Sequence, residues 1–270
     1  MMQAAEAAVH SALPPLNKGA IVFSEHNSSQ VQPERFKKQT APQHSTEQGS
    51  RSMSAAKFKA KGIFFDLDGT IVDSREAYLE AARTAFQAMH QEPPSMATAL
   101  EIPRRLEQKQ HLTCIVTGDI QEFLRIYFSA YYSVTAQKTK PIPNIQTALE
   151  ILAKKAKLAL ITMRNIPKEA ITAELTQFHI AQYFTHVITA MDTHKPKPSP
   201  EALINTVKTL DIDICDCLIV GDSTSDIQAG KAAGAKTVAV LTGLFSRLEL
   251  ATEQPDLILK DATALPDFIA

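Results

Sequence analysis

Two aspartates one residue apart, Asp66 and Asp68, close a short apolar run in I-F-F-D-L-D-G-T-I-V-D-S, from Ile63 to Ser74, and Gly69 and Thr70 follow at once. Close carboxylates repel unless a cation or a shared proton relieves them. Hard divalent cations take such oxygen ligands, and Mg²⁺ favours one or two carboxylates together with substrate phosphate. A bare Asp-x-Asp is a weak signal, because Asp211 and Asp213 repeat it without the same strand-then-glycine frame. An apolar run of this length ending on turn residues predicts a buried strand of a parallel sheet. In such sheets the ligand crevice lies beyond the carboxyl ends of the strands. Period-2 alternation places both aspartates on the same side of the extended chain.

The elements that position this pair follow in two blocks. Residues 75–140 read as all-helical. Ala77, Tyr78, Ala81, Ala82, Ala85, Phe86 and Met89 recur at helical spacing between Arg75 and His90, before Pro93 and Pro94. A polar helix is expected over Ile102–Leu112. Asp119–Tyr132 carries a stripe of Ile120, Phe123, Leu124, Tyr127 and Phe128 behind Asp119 as N-cap, and Thr135–Pro143 reads as linker. From Asn144 helices and strands alternate. Strands are expected at Lys157–Ile161, Phe184–Thr189, Cys217–Val220, Thr237–Leu241 and Leu257–Leu259. Helices are expected at Ile145–Lys155, Pro167–Phe178, Pro200–Leu210, Thr224–Ala233 and Arg247–Ala251. Gly234 suits a left-handed C-terminal cap. Such alternation predicts right-handed crossovers and a parallel sheet covered on both faces.

Polar residues stand at four strand ends that open on one edge of that sheet: Asp66 with Asp68, Thr162, the loop from Lys195 to Ser199, and Asp222 with Asp226. The first string and V-G-D-S-T-S-D-I-Q-A-G-K-A-A-G-A near the C-terminus are similar to the first and last motifs of the haloacid dehalogenase-like (HAD) phosphohydrolases. The ordered set resembles that superfamily over nearly all of the chain beyond residue 60, in its phosphoglycolate phosphatase-like branch.

The resemblance implies a doubly wound α/β parallel sheet (a Rossmann-like HAD core) over 59–74 and 141–270, with a small helical cap over 75–140. It implies an Mg²⁺-dependent phosphatase acting on a small phosphorylated metabolite, phosphoglycolate-like or a sugar phosphate. Asp66 would be the nucleophile and Asp68 the general acid and base. Asp66, the Asp68 main-chain carbonyl and Asp222 would hold Mg²⁺. Asp226 would complete the acidic shell or orient the lysine; a favourable charge in a first helical turn is its other reading. Thr162 and the amide after it would bind the phosphoryl group, unless Thr162 is simply a buried strand residue. Gly69 and Met163 belong to the implied substrate loops. Lys-Pro-x-Pro occurs twice, from Lys195 and from Lys197; Lys197 aligns back from Asp222 without a gap and is the expected phosphate-binding cation. The sequence departs from the pattern at Met163-Arg164-Asn165, where many relatives have a smaller residue and then Lys or Gly. Arg164 there is either an anion contact or an exposed loop cation. In the cap, Arg104, Arg105, Lys109 and Arg125 are candidate anion contacts, although a charged helix face is usually just solvated. A sugar-phosphate mutase, or a catalytically idle HAD-like binding module, are the alternatives.

Composition narrows the classes. The 270 residues are 44% hydrophobic with a formal net charge of −1, so no basic excess points to nucleic acid. Cys114, Cys215 and Cys217 have no zinc spacing and no disulfide framework, which points to a reducing, cytoplasmic setting. Cys215 and Cys217 are expected in a buried strand. No apolar run approaches a membrane span and no secretion signal stands at the N-terminus. The partner expected is a small phosphate ester, for a monomer or homodimer. Residues 1–58 are rich in Gln, Ser, His and Thr and read as a disordered extension. M-S-A-A-K-F-K-A-K-G-I-F-F-D is an ordinary domain start, so translation is expected to begin at Met53, the first 52 residues being mis-assigned sequence or a cleavable tail.

Overall fold

The computed structural model describes residues 57–270; the expectations of a disordered extension and of a start at Met53 lie outside them. The central strand β1, Gly62–Phe65, alternates its side chains between two cores. Ile63 and Phe65 join Leu149, Leu160, Ile171 and Leu175 on one face, while Phe64 joins Ala159, Leu203, Val207 and Ile219 on the other. A strand buried on both sides carries no polar residue until it ends, so the run breaks at Asp66.

After β1 the chain turns at Gly69 (φ +84°), a left-handed conformation that favours glycine. A two-residue strand β2, Val72–Asp73, leads into the helices α1 (Arg75–Ala88), α2 (Met96–Glu107) and α3 (Ile120–Lys138). These share their own core, in which small Ala77, Ala81 and Ala85 of α1 let Phe123, Tyr127 and Tyr131 of α3 pack close. The chain returns through β3, Lys140–Pro141, which pairs antiparallel with β2.

The second block then runs α4 (Ile145–Ala153), β4 (Lys157–Ile161), α5 (Lys168–Gln177), β5 (Phe184–Ile188), α6 (Glu201–Leu210), β6 (Cys217–Gly221), α7 (Thr224–Ala233), β7 (Lys236–Val240), α8 (Arg247–Thr252) and β8 (Leu257–Leu259). Among the described residues one parallel sheet has the order β5-β4-β1-β6-β7-β8. The chain order reverses beside β1, so the strands flanking it, β4 and β6, diverge into opposite halves of the sheet. That is where α/β sheets open a crevice. Gly234 closes α7 at φ +88°.

Three expectations are corrected. The polar helix starts at Met96, not Ile102, and ends at Glu107: the Ser95 side chain accepts from the Thr98 amide (3.2 Å), and Ala99 and Ile102 bury against α1. Pro103 therefore sits inside the helix. The linker expected from Thr135 is helical to Lys138, because Tyr131 and Thr135 carry the buried stripe of α3 two turns further. Cys217 begins β6 and is buried, but Cys215 is exposed in the preceding turn.

Candidate active site

A cavity of about 220 Å³ lies between the carboxyl ends of the strands and the α1–α3 helices. Asp66 enters it directly from β1, Thr162 from the end of β4, and Asp222 from the end of β6. All three are buried.

Lys197 is buried, whereas Lys195 is exposed. The Lys197 Nζ donates to Asp66 Oδ1 (2.6 Å), to Asp226 Oδ1 (2.6 Å) and to the Ile161 carbonyl (3.1 Å). Its charge is thus fixed at the floor of the site by carboxylates from β1 and α7. Asp226 unites two of its sequence readings. One oxygen holds Lys197, and the other accepts from the Ser223 hydroxyl (2.7 Å) and amide (3.2 Å), the capping box that starts α7.

Carboxylate oxygens of Asp66, Asp222 and Asp226 lie within 4.8 Å of one another. When all three carboxylates are ionised, one ammonium leaves two negative charges uncompensated, the charge of one divalent cation. Burial, with Asp66, Glu107 and Asp226 nearby, pushes the Asp222 carboxyl well up; burial outweighs Lys197 at Asp66, whose pKa is pushed up to about 8. These donors fit a hard cation such as Mg²⁺. Asp222 is held by the Thr70 hydroxyl, which donates to Oδ1 (3.1 Å), and by close glycine backbone. A Cβ on Gly243 would fall inside the Asp222 carboxylate. The Thr242 hydroxyl donates to the Gly69 carbonyl (2.5 Å), tying the end of β7 to the loop that follows β1.

Asp68 is turned to other partners. Arg164 Nε donates to its Oδ2 (2.8 Å) and Nη2 to its Oδ1 (2.6 Å), while the Tyr131 hydroxyl (2.8 Å) and the Ser74 hydroxyl also donate to Oδ1. Burial would raise this carboxyl, but the Arg164 guanidinium and these donors overcome it and hold Asp68 below the usual carboxylate range. Arg164 is no exposed loop cation: it is buried, pairs also with Glu174 of α5, and lies over the Tyr131 ring (5.5 Å). Thr162 Oγ1 accepts from the Arg164 amide (3.2 Å), so the turn after β4 is self-locked. Met163 lines the cavity and is partly exposed, and Gly69 lines it beside Asp68.

The structure does not bring the cap cations to the cavity. Arg104 pairs with Glu101 and Glu249, Arg105 with Glu101 and Arg125 with Glu122, and Lys109 is exposed. Sequence reading missed several residues that shape the site. Thr242-Gly243 follows a strand end as Thr162 does, and that signal was available. Tyr131 follows from extending the α3 stripe by one i+4 step. Glu107, whose carboxylate accepts from the Ser225 hydroxyl of α7 (2.6 Å), and Glu174 left no local signal.

A family model described as haloacid dehalogenase-like hydrolase matches residues 63–240. The phosphoglycolate phosphatase of Escherichia coli (strain K12) is 31% identical over 230 residues, 76% of this chain and 90% of that protein. That of Pseudomonas fluorescens (strain Pf0-1) is 29% identical over 212 residues, 75% and 77% of the two chains. A solved haloacid dehalogenase-like family hydrolase from Streptococcus pneumoniae, 23% identical, overlays with a TM-score of 0.66 over 76% of this chain and 95% of its own. A likeness at that identity shows the fold. The matched family spans both ends of the cavity floor, from Asp66 to Asp222, and the chain belongs to the haloacid dehalogenase-like hydrolases, on their phosphoglycolate phosphatase-like branch.

Proposed function

We propose that this hydrolase is an Mg²⁺-dependent phosphatase that cleaves a small phosphorylated metabolite through an aspartyl-phosphate on Asp66. The observation that carries the reading is the Asp66 carboxylate, buried at the tip of the central strand between Lys197 and the acidic cluster. Oδ1 is oriented by Lys197, which leaves Oδ2 to attack phosphorus. The Oδ2–P bond forms as the ester P–O bond breaks, and the leaving oxygen takes a proton from Asp68. Asp68 then takes the proton of the attacking water, whose oxygen bonds to phosphorus and frees the Asp66 carboxylate. The ion pair with Arg164 suits the second, basic role of Asp68. The first role asks Arg164 to turn its donors to the incoming phosphoryl oxygens, beside Thr162. Asp66, Asp222 and the Asp68 main-chain carbonyl would hold the metal, with Asp226 in its acidic shell. Bound there, Mg²⁺ supplies Lewis-acid neutralisation of phosphoryl charge. A cytoplasmic setting, which the free cysteines support, and a monomer or homodimer belong to the same proposal. Among the described residues no helix is long and apolar enough to cross a membrane.

The test is phosphate release by the full chain from p-nitrophenyl phosphate and a panel of small esters, with Mg²⁺ and with EDTA. Release that needs Mg²⁺ and falls by about a thousandfold or more in Asp66→Asn is expected. Residual activity within about tenfold of wild type would remove Asp66 as nucleophile. Transfer to a second sugar without phosphate release would indicate a mutase instead.

A further inference from the structure

The cavity above the phosphoryl-binding floor has an unusual lining for a site that would take a second anion. Its wall is aromatic: Tyr78 from α1 and Tyr127, Phe128, Tyr131 and Tyr132 from α3. The rings are ordered against each other, with Tyr78 stacked on Tyr131 at 5.0 Å between centroids and Phe128 on Tyr132 at 6.1 Å. Five carboxylates line the cavity, Asp66, Asp68, Asp73, Glu107 and Asp222, against two guanidinium groups, Arg75 and Arg164. Each guanidinium is already paired: Arg75 Nε donates to Asp73 Oδ1 (2.8 Å), and Arg164 bridges Asp68 and Glu174. Lys197, at the floor, bridges Asp66 and Asp226. Among the described residues, no cation around the cavity lacks a carboxylate partner. A leaving group carrying a carboxylate would have to compete with Asp68 and Glu174 for the buried Arg164, or with Asp73 for the more exposed Arg75, and would then face Glu107.

A second observation gives the wall a positive preference. The Tyr127 hydroxyl is buried and has no hydrogen-bond partner among the described residues. The other two α3 tyrosines of the wall are engaged, Tyr131 with Asp68 and Tyr132 with the Asn165 amide (3.0 Å). A buried hydroxyl left unpaired is costly, and a polar atom arriving with a ligand relieves that cost. An apolar cavity of ~150 Å³ holds a benzene ring, so about 220 Å³ has room for one ring beside a phosphoryl group.

Resting on the phosphatase reading above, we infer that the leaving alcohol is uncharged and ring-bearing, with a neutral oxygen that meets Tyr127, and is not a carboxylate-bearing alcohol such as glycolate. The ring lies against the aromatic wall, and selection against anions comes from cations already paired with carboxylates and from the surplus of carboxylates lining the cavity. The inference therefore separates this chain from the substrate named for its curated relatives.

The experiment compares three esters that share a CH2–O–P linkage: phosphoglycolate, benzyl phosphate and glucose 6-phosphate, with p-nitrophenyl phosphate as the general probe, all with Mg²⁺ and the full chain. The expected result is a kcat/KM for phosphoglycolate at least about tenfold below that of the better ring-bearing ester, the scale of one misplaced charge or contact. Tyr127→Phe is expected to lower the ratio of glucose 6-phosphate to benzyl phosphate turnover by about three- to tenfold, the loss of one neutral hydrogen bond. Phe128→Arg, which adds an unpaired cation to the wall, is expected to raise phosphoglycolate turnover relative to both. Phosphoglycolate equal to or above the ring-bearing esters in the wild type would overturn the inference, as would an unchanged ratio in Tyr127→Phe. Release from p-nitrophenyl phosphate with none of the three esters cleaved would overturn it too, while sparing the phosphatase reading. Release from no ester at all would overturn the phosphatase reading and this inference with it.

Discussion

Replacing Arg164 with methionine is a direct test of how the site is held together. The guanidinium is 2% exposed and neutralises two carboxylates, Asp68 at 14% and Glu174 at 3% side-chain exposure. Methionine fills much of the same volume but leaves both charges unpaired. Removing one partner of a buried ion pair costs about 3–5 kcal/mol, mostly through the charge left behind. Here each carboxylate keeps some help: Glu174 still accepts from the Thr139 hydroxyl (2.6 Å), and Asp68 from Tyr131 and Ser74. The lost contact of the guanidinium with the Tyr131 ring adds back ~0.5–1 kcal/mol. The lower half of the range, ~3–4 kcal/mol, is therefore expected. For a domain of this size each kcal/mol moves Tm by about 2–4 °C, so a fall of roughly 6–16 °C should appear in thermal melts at neutral pH. Glu174→Gln keeps an acceptor for Thr139 and removes one of the two stranded charges. The double variant should accordingly melt above Arg164→Met alone. A loss under about 1 kcal/mol, or a double variant less stable than the single one, would refute the claim that Arg164 is fixed by these two charges.

Other outcomes follow from the same geometry. Lys197→Ala should lower kcat by about 10²–10³-fold, the scale of losing one preorganised charge in a reacting site, whereas Lys195→Ala, at an exposed position, should stay near wild type; steady-state kinetics on p-nitrophenyl phosphate decides. Gly243→Ala must displace the Asp222 carboxylate, so Mg²⁺ binding measured by calorimetry should weaken by about 10–100-fold, as for a disturbed ligand support; wild-type affinity would show that Asp222 is not a ligand. Burial pushes the Cys217 thiol up to about 12, while Cys114 and Cys215 are exposed. A thiol reagent at pH 8 should therefore label two cysteines in the folded protein and the third only on unfolding.

The sheet was legible because its signals are local. Ile63, Phe64 and Phe65 must all be apolar when a strand is buried on both faces, so the break at Asp66 marks a strand end without any tertiary information. The same holds for Ile161 before Thr162 and Gly221 before Asp222. Asp66, Lys197, Asp222 and Asp226 were thereby named from strand ends and motif alone, and the structure brings their side chains together. What stayed hidden depends on the register of the helices against the sheet. Tyr131 reaches Asp68 across 63 positions and Arg164 reaches it across 96, and no periodicity encodes either meeting. Arg164 is the clearest case. A loop cation beside a strand end is ordinarily solvated, and its burial follows from Glu174 on α5, whose charge looks in sequence like an exposed helix residue. The start of α2 was misplaced because the decisive signal, a single Ser95 behind two prolines, is weaker than the polar run after Ile102.

The antiparallel pairing of Val72–Asp73 with Lys140–Pro141 constrains how the two layers can part. Three helices hang from a ribbon two residue pairs wide, so sliding across the sheet would shear its ladder, while swivelling about the ribbon leaves the ladder whole. Swivelling carries Ser74, Tyr131 and Glu107 away with the helices and leaves Arg164, Glu174 and Ser225 behind on the sheet. Asp68 sits on the axis side of that divide and loses two of its three donors as the gap widens. A swivel about that ribbon would therefore strip Asp68 of hydrogen bonds that hold it ionised and shift its carboxyl towards the protonated form.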